Sequence, residues 1–243
     1  MNEYMVLIII ILLILLGMWV YKKVMTKKVK IKLGVIQVLN DGAIVETMNK
    51  DIKASSELPF DGNLLASFFA IFLTIRESAA NPNWTNLINA YLLKWASVGL
   101  VQIIDGRLSL SIDDVPDEQI ERKLFEILNE EDILLNNLNN ERLSDWGKHA
   151  LALGETILTQ NEDADFDTSG RIRFTRKGYN KSLSHAKFAL YFFEISDSFY
   201  DLDKNRQTNE LCFAILLGLE EEINKLNSSN CEIANMARKI LSL

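Results

Sequence analysis

The residue types that carry most enzyme chemistry are scarce in this chain and poorly spaced for it. Histidine occurs only at His149 and His185, and cysteine only at Cys212 and Cys231. Neither histidine stands in a His-Glu-x-x-His frame, and the two cysteines are too far apart in sequence for a zinc knuckle. Two cysteines in helical surroundings fit a reducing compartment better than a disulfide scaffold. Gly147-Lys148 lacks the upstream glycine of a phosphate-cradling loop, and no glycine-rich strand-to-helix turn occurs elsewhere. Glu162-Asp163-Ala164-Asp165-Phe166-Asp167 imitates the start of a calcium loop, with oxygen donors on alternate residues. Counting from Asp163, the position that needs glycine is Thr168, and the one that needs a bidentate glutamate is Phe174. We therefore expect no catalytic residue, no metal site and no cofactor.

Charge gives a second constellation. Arg171, Arg173, Arg176, Lys177, Lys181 and Lys187 cluster in a stretch with no carboxylate between Thr168 and Phe193. Such a cluster either contacts phosphates, of DNA or of lipid headgroups, or neutralises the acidic loop just before it. The adjacent carboxylates weaken any long-range field and favour the second reading. From residue 33 onward, 20 basic and 32 acidic residues leave a net charge of −12, which repels nucleic acid and anionic lipid.

The elements that would position these groups begin with an anchor. Met5 to Tyr21 holds no charged residue and includes an unbroken aliphatic run from Val6 to Leu16. Its length as a helix, ~26 Å, is at the short end of what spans a bilayer. Tyr4, Trp19 and Tyr21 stand at its ends, where amphipathic rings prefer the headgroup level. A cleaved signal peptide needs basic residues before the run and a small-residue cleavage site after it, but only Asn2 and Glu3 precede the run and Gly17-Met18-Trp19-Val20-Tyr21 is a poor cleavage site. Lys22, Lys23, Lys27, Lys28, Lys30 and Lys32 all follow the span. The positive-inside rule therefore places a short N-terminus outside and everything after the span in the cytoplasm of a single-pass protein.

Beyond the anchor the pattern predicts a mainly α domain with small β-hairpins. Residues 33–57 read as a hairpin around Asn40-Asp41-Gly42 followed by a linker. In residues 58–112, Asp61 is the expected cap of a helix running to about Ser78. A second helix follows, with Trp84, Leu87, Ile88, Tyr91, Leu92 and Trp95 at helical spacing and Gly99 past its end. A strand–turn–strand through Leu110 completes the order of a winged helix. Residues 113–178 repeat that order more weakly: helices over 117–128 and 142–159, a short element over 134–138, and a wing strand over 171–175. Residues 179–243 hold three helices, roughly 182–203, 208–226 and 232–241. The expected fold is thus a transmembrane helix, a tandem winged-helix-like cytoplasmic domain and C-terminal helices.

Leu58-Pro59 with its helix, the helix and wing from Trp84 to Leu110, Thr175-Arg176-Lys177-Gly178 and Phe213 to Glu220 together carry a resemblance. They resemble the cytoplasmic C-terminal region of a bacterial family of predicted membrane proteins of unknown function. In that family a winged-helix-like segment after a transmembrane helix precedes a threonine-x-lysine-glycine helix and a tyrosine-alanine-x-alanine-leucine-glycine-x-glutamate stretch. The resemblance covers about residues 58–226. Typical members have a large extracytoplasmic region before the span, so it implies a truncated member. The further spans expected before the threonine-x-lysine-glycine helix are replaced here by Gln160 to Gly170. It implies a fold and a location and brings no catalytic residue.

These features together suggest a membrane-anchored interaction or scaffold protein without catalytic activity. Its partners would be the bilayer, through residues 5–21, and another membrane or cytoplasmic protein. Phe188, Tyr191, Phe192 and Phe193 are the candidate partner-binding residues, because Phe188 to Phe193 is apolar on every side and must be buried in the domain or in a partner. Arg171, Arg173, Arg176, Lys177 and Lys181 are the candidate phosphate or lipid contacts. The alternative is a membrane-tethered winged-helix transcription regulator reading DNA with the Trp84 to Ser97 helix. That helix offers only Lys94 as a cation, beside Asn83, Asn86 and Asn89 as modest donors, so a nucleic acid partner is not expected.

The orientation is testable. Green fluorescent protein fused after Leu243 should fluoresce, and alkaline phosphatase fused there should be inactive; the opposite pair of results would reverse the topology. Replacing the six juxtamembrane lysines with glutamine should yield a mixture of orientations.

Overall fold

A computed structural model describes residues 53–75, 84–104, 107–111, 114–130, 141–195, 198–226 and 231–243. The anchor, the juxtamembrane lysines, the Asn40-Asp41-Gly42 hairpin and the short element over 134–138 lie outside the described residues. Among those described, no helix is long and apolar enough to cross a membrane. The described chain is mainly helical, with two small antiparallel hairpins. Its helices are α1 (Leu64–Ile75), α2 (Trp84–Ser97), α3 (Gln119–Glu130), α4 (Glu141–Gln160), α5 (Arg176–Glu194), α6 (Lys204–Leu216), α7 (Glu220–Lys225) and α8 (Glu232–Leu241). The strands are β1 (Val101–Ile104), β2 (Arg107–Leu110), β3 (Ala164–Phe166) and β4 (Ile172–Phe174). Val101 pairs with Leu110 in the first hairpin and Ala164 with Phe174 in the second.

α2 lies at the centre. Ten of its residues, from Asn86 to Trp95 and Ala96 with only Lys94 left out, are buried, so the helix is enclosed on all sides. α6 and α8 pack on it, and β1 follows it across the Gly99 turn, where φ is 84°. Trp95 stacks beside Tyr91 and meets the edge of Phe125 from α3, with ring centroids 6.1 and 5.4 Å apart. The indole of Trp95 donates to Glu121 at 2.8 Å and Lys94 approaches the same carboxylate at 2.6 Å. Trp146 of α4 donates to the Ile120 carbonyl at 2.9 Å, so α2, α3 and α4 are joined by polar contacts inside an apolar core.

The order helix, helix, hairpin does occur twice, yet the packing runs across residue 112. The main contact of α1 is with α4, and the main contact of α2 is with α6. One large cluster holds Leu65 and Phe68 of α1 together with Leu124, Trp146, Phe188 and Phe213. A smaller one, with Phe60, Phe69, Leu73 and Leu158, lies between α1, α4 and the second hairpin.

Several element ends differ from their sequence expectation, each for a local reason. The cap of α1 is Asn63, whose side chain accepts from the Ala66 N–H at 2.9 Å. Asp61 stands before it in the left-handed region, at φ 57°. α5 begins at Arg176 rather than near Ser182, because Thr175 caps it, accepting from the Gly178 N–H at 3.1 Å. The helix expected over 208–226 breaks at Gly218, where φ is 72°. There the Leu219 N–H donates to Ala214 and the Gly218 N–H to Ile215, the paired bonds of a Schellman cap. Leu219 is then buried and α7 starts anew at Glu220. The stretch from Phe213 to Glu220 is thus a helix stop.

Replacing Gly218 with alanine should lower the stability of the detergent-solubilised chain by about 1 kcal/mol, because the left-handed conformation is kept and the side chain resists it. Thermal unfolding should show a drop of roughly 2–4 °C. An unchanged midpoint would mean that the stop does not depend on glycine.

Candidate functional site

The second hairpin and the start of α5 are fastened by the side chains of one short segment. Thr175 caps α5 and its hydroxyl donates to the Glu162 carbonyl at 2.7 Å. Lys177 donates to the Asn161 carbonyl at 2.6 Å. Gly178 lies against the backbone of Asp163, and a Cβ at that position would collide with the Asp163 carbonyl oxygen. The threonine-x-lysine-glycine motif therefore works here as a clasp: each of its three specified residues holds the helix to the 161–163 turn.

Asp163 is the buried charge of this junction, with its side chain 1% exposed. Lys181 stands 3.2 Å and Lys177 3.8 Å from its carboxylate, in ion-pair range but outside hydrogen-bond geometry. Lys181 also reaches Asp61 at 2.9 Å. Asp61 and, after it, Asp163 hold the Lys181 ammonium above its usual pKa. Asp61 belongs to the Pro59–Gly62 turn, in which Phe60, Asp61 and Gly62 all take positive φ, 47°, 57° and 82°. The turn is held by Ser67, whose hydroxyl donates to the Pro59 carbonyl at 3.2 Å. It is also held by Phe60, which is buried against the His185 ring at 5.4 Å.

Between this turn and α5 lies a cleft of about 1030 Å³. Its α5 wall carries Arg176, Lys177, Asn180, Lys181, Ser184 and Lys187, which is one face of the helix at i, i+4 and i+8 spacing. Leu58, Phe60 and Asp61 form the facing wall, with Glu57 beside them. Four cations thus share one concave surface, two of them tied to acids.

The other residues singled out from sequence are dispersed. Phe188 and Phe192 are core residues, 0% and 2% exposed, and Phe188 meets the rings of Tyr191, Phe192 and Phe213. Tyr191 and Phe193 are partly buried against the same core, and the Tyr191 hydroxyl donates to Glu210 at 3.0 Å. Phe188 and Phe192 are therefore covered by the domain's own helices, whereas Tyr191 and Phe193 keep part of their surface exposed. Arg173 pairs with Asp167 at 2.7 Å. Arg171 is exposed on the loop, away from the cleft lining.

In the calcium-like loop the Asp167 carboxylate is turned to protein donors. Asp167 accepts from the Ser169 hydroxyl and N–H and the Arg171 N–H at 2.6, 2.8 and 3.0 Å. The Ser169 hydroxyl first, and then the backbone N–H groups and Arg173, lower its pKa to about 2. Among the described residues no group of three or more His, Cys, Asp or Glu could hold a metal ion. Cys212 donates to the Ala90 carbonyl at 3.3 Å, and burial pushes its thiol up to about 12. Cys231 caps α8 and His149 is exposed.

Sequence reasoning misses the facing wall of the cleft, because the turn and α5 are more than a hundred residues apart. The local signal is Pro59-Phe60-Asp61-Gly62, a turn composition that competes with the reading of Asp61 as a helix cap. His185 is the packing residue that its isolation in the sequence suggests: it is 0% exposed, and neither ring nitrogen meets hydrogen-bond geometry among the described residues.

Burial pushes the His185 pKa down to about 3, against the smaller pull of the Ser182 carbonyl. The folded pKa lies below the unfolded value of ~6.5, so the neutral ring's contribution is complete above that pH and is lost as pH falls toward 3. Each pH unit in this window removes up to ~1.4 kcal/mol. His185→Leu should flatten the pH dependence of the unfolding midpoint between these limits relative to the parent chain; an identical slope in both would show that His185 titrates normally. Compared with known proteins, the chain matches no protein-family model, no curated protein and no solved structure.

Proposed function

We propose that this chain is a membrane-anchored cytoplasmic interaction or scaffold protein whose helical domain binds another protein and does no catalysis. The observation that carries the reading is the apolar surface around the first hairpin. Val98, at the turn between α2 and β1, is 69% exposed and Ile104, at the end of β1, is 54% exposed. A groove of about 550 Å³ is lined by Val98 together with Gln102, Ile103, Lys204, Met236 and Lys239. β1 and β2 form a two-stranded sheet, so each has an outer edge that no described strand covers. Open strand edges beside apolar side chains and cations suit an extended acidic-apolar segment of a partner.

The tether rests on the apolar run of residues 5–21 and the lysines after it, and the resemblance to predicted bacterial membrane proteins supports it. The winged-helix likeness enters this reading only as an order of elements, since α1 pairs with α4 and α2 with α6. The regulator alternative would need α2 to lie in a DNA groove. α2 is the enclosed helix of the domain, with Asn86 and Asn89 buried and Lys94 held by Glu121, so nothing in the geometry favours it.

A photo-crosslinking residue in place of Val98 or Ile104, in cells, should give one discrete adduct that the same residue in place of Tyr179 does not. Equal labelling at all three positions, or none, would count against the hairpin as the binding surface. Selection from a random duplex library at physiological salt should enrich no motif; a site bound roughly a thousandfold above random DNA would restore the regulator.

A further inference from the structure

We propose that the cleft between the Pro59–Gly62 turn and α5 binds a phosphate group, supplied by the headgroup of an anionic phospholipid. In the free protein the Asp61 carboxylate stands in for that phosphate on Lys181. The lipid source, unlike the phosphate site itself, rests on the membrane tether proposed above.

The α5 wall is built almost wholly from donors. Arg176, Lys177, Asn180, Lys181, Ser184 and Lys187 share one face, and the helix carries no carboxylate before Glu194. Among the described residues the side chains of Arg176 and Lys187 have no partner, and the Ser184 hydroxyl, buried at the cleft wall, is likewise unpaired. These are unused donors for a ligand rich in acceptor oxygens.

The acids of the cleft divide into two kinds. Asp163 is 1% exposed and lies beneath Lys177 and Lys181, so it fixes their ammonium groups in place. Asp61 is 84% exposed and, among the described residues, pairs with Lys181 alone, at 2.9 Å. An exposed pair of this kind is weak, and a phosphate with more charge and more acceptor oxygens competes with it on favourable terms. The Asp61 backbone is held in the left-handed region, at φ 57°, between Phe60 and Gly62. That geometry persists because Phe60 is buried beneath it, and it keeps the carboxylate over the cations. Among the described residues lining the cleft, Glu57 at the rim is the one other acid.

Connectivity argues for a lipid. The chain that arrives from the lysine-flanked apolar segment is pinned at the edge of this cleft, where the Ser55 N–H donates to the Lys187 carbonyl at 3.1 Å. Leu58 and Phe60 give the facing wall an apolar part, which suits the glycerol and first acyl carbons behind a headgroup phosphate.

The test uses the full chain in uncharged detergent, titrated with inorganic phosphate, dioctanoyl phosphatidic acid and, as control, dioctanoyl phosphatidylcholine. Saturable binding is expected for the first two, tighter for phosphatidic acid, and none for the zwitterionic control. Arg176→Gln with Lys187→Gln should weaken binding by roughly tenfold or more. Asp61→Asn should tighten it severalfold by freeing Lys181, and asparagine tolerates the left-handed backbone. Arg171→Gln, off the cleft, should change nothing. Absence of saturation, a double variant that binds as the parent does, or weaker binding by Asp61→Asn would overturn the site. Phosphate binding with no preference for phosphatidic acid would keep the site and overturn the lipid source. Release of the chain from membranes by alkaline extraction would sink the tether separately, because the phosphate titration does not depend on it.

Discussion

A helix that is buried around nearly its whole circumference must be surrounded, and α2 imposes that constraint on this fold. Ten of its residues are buried, including two asparagines and a tryptophan. No single neighbour can cover such a surface, so α6, α8, α3 and the first hairpin are arranged about it. Two of its polar groups are met inside, Trp95 by Glu121 and Asn86 by the Leu216 carbonyl at 3.4 Å, while the Asn89 Oδ1 has no hydrogen-bond partner among the described residues. The same enclosure removes α2 from any role at the surface, which is why a helix placed where a reading helix would stand has no groove-facing side.

What is legible in the sequence follows local physics. α2 with its Gly99 stop, the first hairpin and α8 can all be read from it, because periodicity and turn chemistry agree there. The ends that sequence misplaces are those where two local signals compete. Asp61 and Asn63 both suit an N-cap, and the strained turn, held by burial of Phe60, assigns the cap to Asn63. The apolar period through residues 208–226 continues past Gly218, yet a left-handed residue ends α6 there. β3 reads as part of an acidic loop because two of its flanking carboxylates hide a strand of only three residues. The basic cluster is visible in the sequence, but the cleft is not, since its walls come from opposite parts of the chain.

The acidic and basic side chains repeat one arrangement three times. Glu121, Asp163 and Glu210 have side chains 4%, 1% and 1% exposed, and their partners Lys94, Lys181 and Arg206 are 46%, 32% and 47% exposed. Each acid is inside and each base reaches from the rim. A long cationic side chain can do this at low cost, because its stem covers apolar surface and its head stays hydrated. A carboxylate has no such reach, so once buried it depends on the cation brought to it.

That asymmetry sets what each cation in the cleft is free to do. Lys181 is committed to the fold. Without it the Asp163 carboxylate would keep only Lys177, at 3.8 Å, and the junction between the second hairpin and α5 would carry a poorly compensated buried charge. Lys177 is held likewise by the Asn161 carbonyl. Arg176 and Lys187 have no internal acid to serve, and they flank the other two along the same helix face. A surface whose central cations are fixed by the fold and whose outer cations are free is preorganised for an anion, because the ligand need not order the middle of its own site. The two roles are therefore divided along α5: the fold holds the middle of the cleft, and the ends are left to the ligand.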